Sequence, residues 1–242
     1  MTTPVPSVTA AQMAQIDRRA IHGYGIGLIQ MMELAGRNLA SLARDMSGGS
    51  DEGREIVVLC GTGNNGGGGM VAARSLHAWG ARVQVVLTGP EDALKPVPKR
   101  QWRILERVGL AVRFRNDPQS ESPDLIIDAI FGYGFRGKPR RRAARWIEWA
   151  NAQGCPVLAL DLPSGLDATT GIPSAPCVRA TATLTLALPK TGLRAPEAQA
   201  FVGEVVLADI GIPPEVYRDL GIEVGNPFAN GSIIRLEDSQ ER

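Results

Sequence analysis

Apolar positions recur at helical spacing after Thr9 and again over Leu28–Met46, and the spacing predicts two opening helices. Ser7 or Thr9 is placed to cap the first, which would run to about Ile21. The pattern then turns to short apolar runs. Strands are predicted over Glu55–Cys60, Arg82–Leu87, Asp124–Ile130, Pro156–Leu160, Thr181–Leu188 and Glu204–Ile210, with a weak one at 111–114. Helical segments separate most of them: one from about Gly69 to Trp79, one ending near Val108 after a proline-rich loop, and one from Pro139 to about Ala152. Repeated strand–helix–strand units predict an α/β fold with a mostly parallel central sheet covered on both faces. The last two strands have no long helix between them, so part of the sheet edge is expected to be antiparallel. The core is read as one domain over about 10–214, and residues 215–242 as a polar, loose tail.

The junction after the first strand stands out. Ile56–Leu59 run into Gly61-Thr62-Gly63-Asn64-Asn65-Gly66-Gly67-Gly68-Gly69, and a helical pattern follows near Met70. Glycines there permit positive φ and close approach of a ligand. A helix start also presents free N–H groups at the positive end of its dipole, a setting suited to phosphate. The segment matches G-x-G-x-x-G, a pattern that is weak alone. A dinucleotide dehydrogenase wants an acid at the end of the second strand for the ribose, and here the first acids, Glu91 and Asp92, fall in the following loop.

Ligands of open α/β sheets bind beyond the carboxyl ends of the strands, which directs attention to three further strand ends. Asp128 lies in DLIIDAIFGYGFRG, where an unpaired carboxylate would be costly; it either serves a site or caps a neighbouring loop. Asp161 closes PVLALDLPSGLD three residues before Ser164. There it is either a turn former or a rigidly held acid–base or cation-binding group. Lys190, in LALPKTGL, either reaches a phosphate or is solvated. Arg136, Lys138, Arg140, Arg141, Arg142 and Arg145 crowd the start of a predicted helix, where the dipole disfavours cations; a nearby anion or a solvated basic face would account for them.

The composition is that of an ordinary globule: 44% hydrophobic, 21% charged, net charge +1 over 242 residues. This argues against a general nucleic-acid binder. Apolar runs fall well short of the roughly 18 residues that span a bilayer. The N-terminal stretch has no signal-peptide pattern. Cys60, Cys155 and Cys177 are odd in number and widely spaced, so neither a disulfide framework nor a zinc site is expected, and a reducing cytoplasm fits.

Taken in order, AQIDRRAI…LIQMMELAGRNLA, GTGNNGGGGMVAARSL, DLIIDAIFGYGFRG, LALDLPSGLDATTG and LALPKTGL resemble the YjeF N-terminal family of NAD(P)H-hydrate epimerases over about residues 10–214. The resemblance implies a Rossmann-like three-layer α/β/α sandwich that interconverts the R and S forms of nicotinamide nucleotides hydrated at C6 (NADHX and NADPHX). It implies a substrate site lined by Asn64, Asn65, Gly66, Gly67, Gly68, Gly132, Tyr133, Gly134, Phe135, Arg136, Gly137 and Lys138. Asp161 would contact substrate and catalyse. A potassium ion would be held by Asn65, Asp128 and Ser164. It also implies a homodimer and functional coupling to a separate ADP- or ATP-dependent dehydratase. The family usually reads NNGGDG in the glycine loop, so Gly68 replaces an aspartate. Read at a helix start, that exchange costs a strong N-cap. Gly68 and the basic cluster leave open a non-catalytic nucleotide-, RNA- or protein-binding module; an NAD-dependent oxidoreductase is a third reading.

Overall fold

A computed structural model describes residues 5–113 and 122–236. Helix α1 (Ala10–Arg18) is capped by Thr9. The Thr9 side chain accepts from the Gln12 N–H, and the Gln12 side chain accepts from the Thr9 N–H. A single π turn, Arg19–Gly23, extends it before α2 (Leu28–Met46).

Strands β1 (Glu55–Cys60), β2 (Arg82–Leu87), β3 (Ala111–Arg113), β4 (Leu125–Ala129), β5 (Val157–Leu160), β6 (Ala182–Leu186), β7 (Glu204–Ala208) and β8 (Ile233–Arg235) form one sheet in the order β3-β2-β1-β4-β5-β6-β7-β8. All neighbours are parallel except β7 and β8. The antiparallel edge is therefore real, but β8 makes it, and β6 and β7 run parallel. They manage this with only short helical turns between them, including α6 (Gln199–Val202). The segment read as a polar tail supplies α7 (Pro214–Arg218) as well as β8. Phe114, at the end of the weak strand expected at 111–114, lies outside the described residues.

The strand sequences sort residues to the two faces with period two. Ile56, Val58 and Cys60 of β1, with Leu125, Ile127 and Ala129 of β4, pack under α2, α3 (Asn64–Ala78) and α4 (Pro96–Val108). Val57, Leu59 and Ile126 meet Ala143, Trp146, Ile147 and Ala150 of α5 (Arg141–Ala152) on the other side. Helix α5 starts two residues later than Pro139 predicts, because Arg140 is extended at φ −134°, ψ 158° and acts as its N-cap. Among the described residues no helix is long and apolar enough to cross a membrane. Cys60 is buried, and burial drives its thiol pKa upward, as a packing residue requires.

Helix α3 begins at Asn64, about five residues before the expected start, with Gly63 as N-cap. The glycine run lies inside the helix, and none of Gly61–Gly69 has positive φ. The glycines are there for contact distance. A Cβ at Gly66 would come within 1.9 Å of the Gly61 oxygen, one at Gly67 within 2.6 Å of the Met32 sulfur, and one at Gly69 within 2.5 Å of Ala129. Their absence lets α3 sink onto β1 and β4 and lets α2 cross it closely. Gly36 of α2 meets Val71 and the Gly68 carbonyl in the same way, at 2.4 and 2.6 Å from an ideal Cβ. Gly36→Ala is accordingly expected to push the helices apart and lose about 1–3 kcal/mol in urea unfolding, while Gly154→Ala, where a Cβ meets nothing within 4 Å and φ is not positive, should be close to neutral.

Candidate active site

In this strand order β1 leads to β2 and β3 on one side, and β4 returns to β1's other side. The crevice between the carboxyl ends of β1 and β4 is thus the topological switch point, where open α/β sheets take ligands. A cavity of ≈ 360 Å³ opens there. Thr62–Asn65 and Gly68 follow β1, and Ile130–Phe135 follow β4. Asp161 follows β5, Lys190 comes from the loop after β6, and α1 and α2 close the front with Met13, Asp17, Met31 and Met32.

Two adjacent strands end in the same unusual way. After β5, the Leu162 N–H donates to the Leu160 carbonyl around Asp161, whose φ is +70°; after β6, Leu188 donates to Leu186 around Ala187, at φ +62°. Three-residue turns with positive φ at a side-chain-bearing residue are rare and strained, by roughly 1–3 kcal/mol each. Asp tolerates that region better than most residues. The first turn throws the Asp161 side chain across toward β6, and the second returns the chain so that Lys190 meets it.

Asp161 and Lys190 form a buried ion pair, with side chains 4% and 1% exposed. The three Lys190 N–H groups are all used: one donates to Asp161 Oδ1, one to the Leu186 carbonyl at 2.9 Å, and one to Thr185 Oγ1 at 3.3 Å. Asp161 Oδ2 accepts from the Tyr133 N–H at 2.9 Å. Lys190 is neither solvated nor aimed outward at a phosphate, the two roles its sequence position suggested. Its backbone is fixed by the N-terminal segment, since Val8 donates to Pro189 and accepts from Thr191.

The Tyr133 hydroxyl donates to Asp17 Oδ2 on α1. Burial raises the Asp17 carboxyl above its ordinary pKa, an effect partly offset by the Tyr133 bond and by Lys190. Burial also raises the Tyr133 phenol, with the Asp17 charge adding to it. Asp17 was not foreseen as a site residue. The available signal was its place one residue after Ile16 and one helical turn after Met13, at the margin of the buried face of α1.

Asp128 is fully buried beneath the cavity. Its oxygens accept from the Ile130 N–H (3.1 Å), the Ser164 N–H (2.8 Å) and the Ser164 hydroxyl (2.7 Å), and that hydroxyl accepts from the Phe131 N–H. Burial raises its pKa to about 6, the three hydrogen bonds opposing the shift. Asn65 donates to the Leu160 carbonyl, and its amide oxygen lies with Asp161 Oδ2 at the bare face of Gly132, each 3.0 Å from an ideal Cβ there.

The sequence-derived residues therefore divide. Asn64, Asn65, Gly68, Gly132, Tyr133, Gly134, Phe135 and Asp161 line the cavity. Gly66 and Gly67 are buried in helix packing, whereas Arg136, Gly137 and Lys138 lie outside the lining. Arg136 folds back to donate to the Tyr133 and Phe135 carbonyls of its own loop, so it stabilises the loop that carries Tyr133. Gly68 is the fifth residue of α3, hence no N-cap is lost there. A Cβ at Gly68 would meet only Leu160 Cδ2, at 2.8 Å. Glu91 and Asp92, the nearest acids to the end of β2, sit exposed in a separate turn outside the cavity lining.

The YjeF-related protein N-terminus model matches residues 28–192. The NAD(P)H-hydrate epimerase of Dehalogenimonas lykanthroporepellens is 41% identical over 98% of this chain and 95% of its own length. The protein of the same name from Rhodopirellula baltica is 32% identical, over 90% and 89%. The bifunctional NAD(P)H-hydrate repair enzyme Nnr of Moorella thermoacetica is 41% identical over 86% of this chain, which spans 41% of that longer protein. The crystal structure of the yeast protein ynu0 (YNL200c) superposes with a TM-score of 0.80 at 25% identity, covering 96% of this chain and all of that one. Both the match over 28–192 and the near full-length relatives place this chain in the YjeF-related protein N-terminus family.

Proposed function

We propose that the chain interconverts the R and S forms of hydrated NAD(P)H, with Asp161 as a proton-transfer group. The observation that carries this reading is the Asp161 carboxylate, set in a strained turn at the switch-point cavity and fixed by donors on both oxygens. Strain held at one acid in a cavity is a mark of function more than of packing. The names of the full-length relatives supply the substrate class. Asp161 accepts a proton from water adding to the carbinol carbon and returns one in the reverse direction. The nucleotide's phosphates suit the start of α3 at Asn64, where Gly63 leaves the first N–H groups uncapped by a side chain and Lys95 stands beside them. The absence of a ribose acid in the lining counts against a hydride-transfer dinucleotide site. The S form would pass to a dehydratase, consistent with a bifunctional repair enzyme among the relatives.

A potassium ion fits the residues below the cavity. Asp128 is a buried carboxylate whose hydrogen bonds come from neutral donors only, and the Asn65 amide and Ser164 hydroxyl add uncharged oxygen. Such an all-oxygen set suits a hard cation. Asn65, Asp128 and Ser164 would hold it, and its charge would steady the Asp128 carboxylate and the Ile130–Phe135 loop.

Four measurements test this reading. Incubation of the protein with the R hydrate and an S-specific dehydratase should restore NAD(P)H fluorescence faster than spontaneous epimerisation; an unchanged rate would remove the assignment. Asp161→Asn, which keeps the tolerance for positive φ, should abolish the acceleration while still unfolding cooperatively, at a stability lowered by about 3–5 kcal/mol because the buried Lys190 ammonium is left without its carboxylate. Lys190→Met should cost about 3–5 kcal/mol in urea because it strands a buried carboxylate, and combining it with Asp161→Asn should recover part of that loss. For the cation, potassium chloride should raise the melting temperature above that in choline chloride of equal ionic strength, and Asp128→Asn should erase the difference.

A further inference from the structure

The cavity holds a second carboxyl group that the single-acid scheme leaves idle. Asp17, on α1, and Asp161, after β5, both line it, and one residue joins them: the Tyr133 N–H donates to Asp161 and the Tyr133 hydroxyl donates to Asp17. One tyrosine therefore bridges the two carboxyls, and its length together with the two hydrogen bonds bounds their separation. Their surroundings differ. Asp161 has both oxygens occupied by donors, one of them the Lys190 ammonium. Asp17 accepts from the Tyr133 hydroxyl through Oδ2, while Oδ1 meets no donor among the described residues and can carry a proton.

Inversion at a carbinol carbon by departure and return of oxygen needs proton handling on both faces of the ring. Inverting glycosidases meet the same demand with two carboxyls about 6.5–9.5 Å apart, a gap that admits a water on the face opposite the leaving group. A tyrosine measured from amide nitrogen to phenol oxygen has a length of that order. We infer that Asp17 is a second catalytic residue, the proton donor to the departing hydroxyl, paired across the cavity with Asp161 as the acceptor for the incoming water. This inference rests on the epimerase reading above.

The step balances without any further reagent. The Asp17 carboxyl proton moves to the hydroxyl oxygen, and the C–O bond breaks with its electron pair leaving in water. The ring nitrogen's lone pair forms a C=N bond. A second water adds its oxygen pair to the carbon from the Asp161 side, the C=N pair returns to nitrogen, and the water's proton passes to Asp161. Asp17 is left deprotonated and Asp161 protonated, which is the state required for the opposite epimer; exchange with solvent water restores the first state.

Asp17 is suited to the donor role, since burial raises its carboxyl above the ordinary range. The groups acting on it are Tyr133, whose bond lowers it, Lys190, which lowers it, and Asp161, which raises it. Burial raises the Tyr217 phenol on α7, with Asp209 and then Asp17 adding to it, and Arg18 slightly opposes the burial-driven rise at Tyr133. Sequence position also fits, because Asp17 falls in the AQIDRRAI stretch, which runs from α1 into the π turn and which the strand-end motifs do not account for.

The test uses the full chain in the coupled assay. Asp17→Asn should lower kcat by about 100-fold or more, with KM and melting temperature little changed, and should remove the alkaline limb of the kcat/KM profile, which requires protonated Asp17. Tyr133→Phe deletes a bond that lowers the Asp17 pKa, so the same limb should move to higher pH. In ¹⁸O-labelled water every inverted product should carry one solvent oxygen. Retention of the original oxygen, an Asp17→Asn rate within threefold of wild type, or an alkaline limb unmoved in both variants would overturn the assignment. If Asp17→Asn does not fold, the Tyr133→Phe profile and the oxygen label still decide. A wild-type chain that fails to accelerate epimerisation would sink the parent reading and this one together, whereas an active wild type with an indifferent Asp17→Asn removes only the role of Asp17.

Discussion

The buried ion pair between Asp161 and Lys190 is the constraint around which the candidate site is organised. Two charges withdrawn from water are tolerated only if their remaining hydrogen-bonding capacity is met. Here that requirement dictates a good deal of local structure. Lys190 needs the Leu186 carbonyl and the Thr185 hydroxyl, so the chain must double back immediately after β6. Asp161 needs the Tyr133 N–H, so the loop after β4 must lie over the end of β5. The two strained turns at Asp161 and Ala187 follow from these demands, and the hydrogen bonds they allow offset their cost.

Much of the frame was legible in the chain. Short apolar runs located β1 and β2, and period-3.6 spacing located α2, to the residue, because both strands are buried almost throughout and α2 buries one face. Elements that owe their form to tertiary contact were misplaced. The glycines of α3 have low helix propensity and read as a loop; the close crossing with α2 and the sheet makes them helical. Strand β8 has little pattern of its own and exists because β7 offers it an edge.

The site was legible in part, for a related reason. Asp128, Asp161 and Ser164 stand at strand ends with short, stiff turns, where topology alone brings side chains to the switch point. Asp17 belongs to a helix distant in sequence, and only packing against the Tyr133 loop reveals it. Arg136 has the charge expected of a phosphate ligand, yet one nitrogen of its guanidinium, Nη1, is turned back to two carbonyls of its own loop. Lys190 shows the same limit from the other side: a lysine beside a proline reads as surface, and three satisfied donors in the interior reverse that reading.

The bridge between Val8 and Lys190 has a bearing on the order in which the molecule comes together. It joins the start of the described chain to a residue beyond β6, so it is among the contacts with the largest loop to close. Contacts of that kind form late and slow folding. The sheet centre, β1 with β2 and β4, can pair while the charged side chains are still in water. Lys190 enters the interior only once the N-terminal segment and β6 are both in place. Assembly of the surroundings of Asp161 is thereby tied to completion of the fold, and a partly folded chain would hold its carboxylate hydrated and free to rotate.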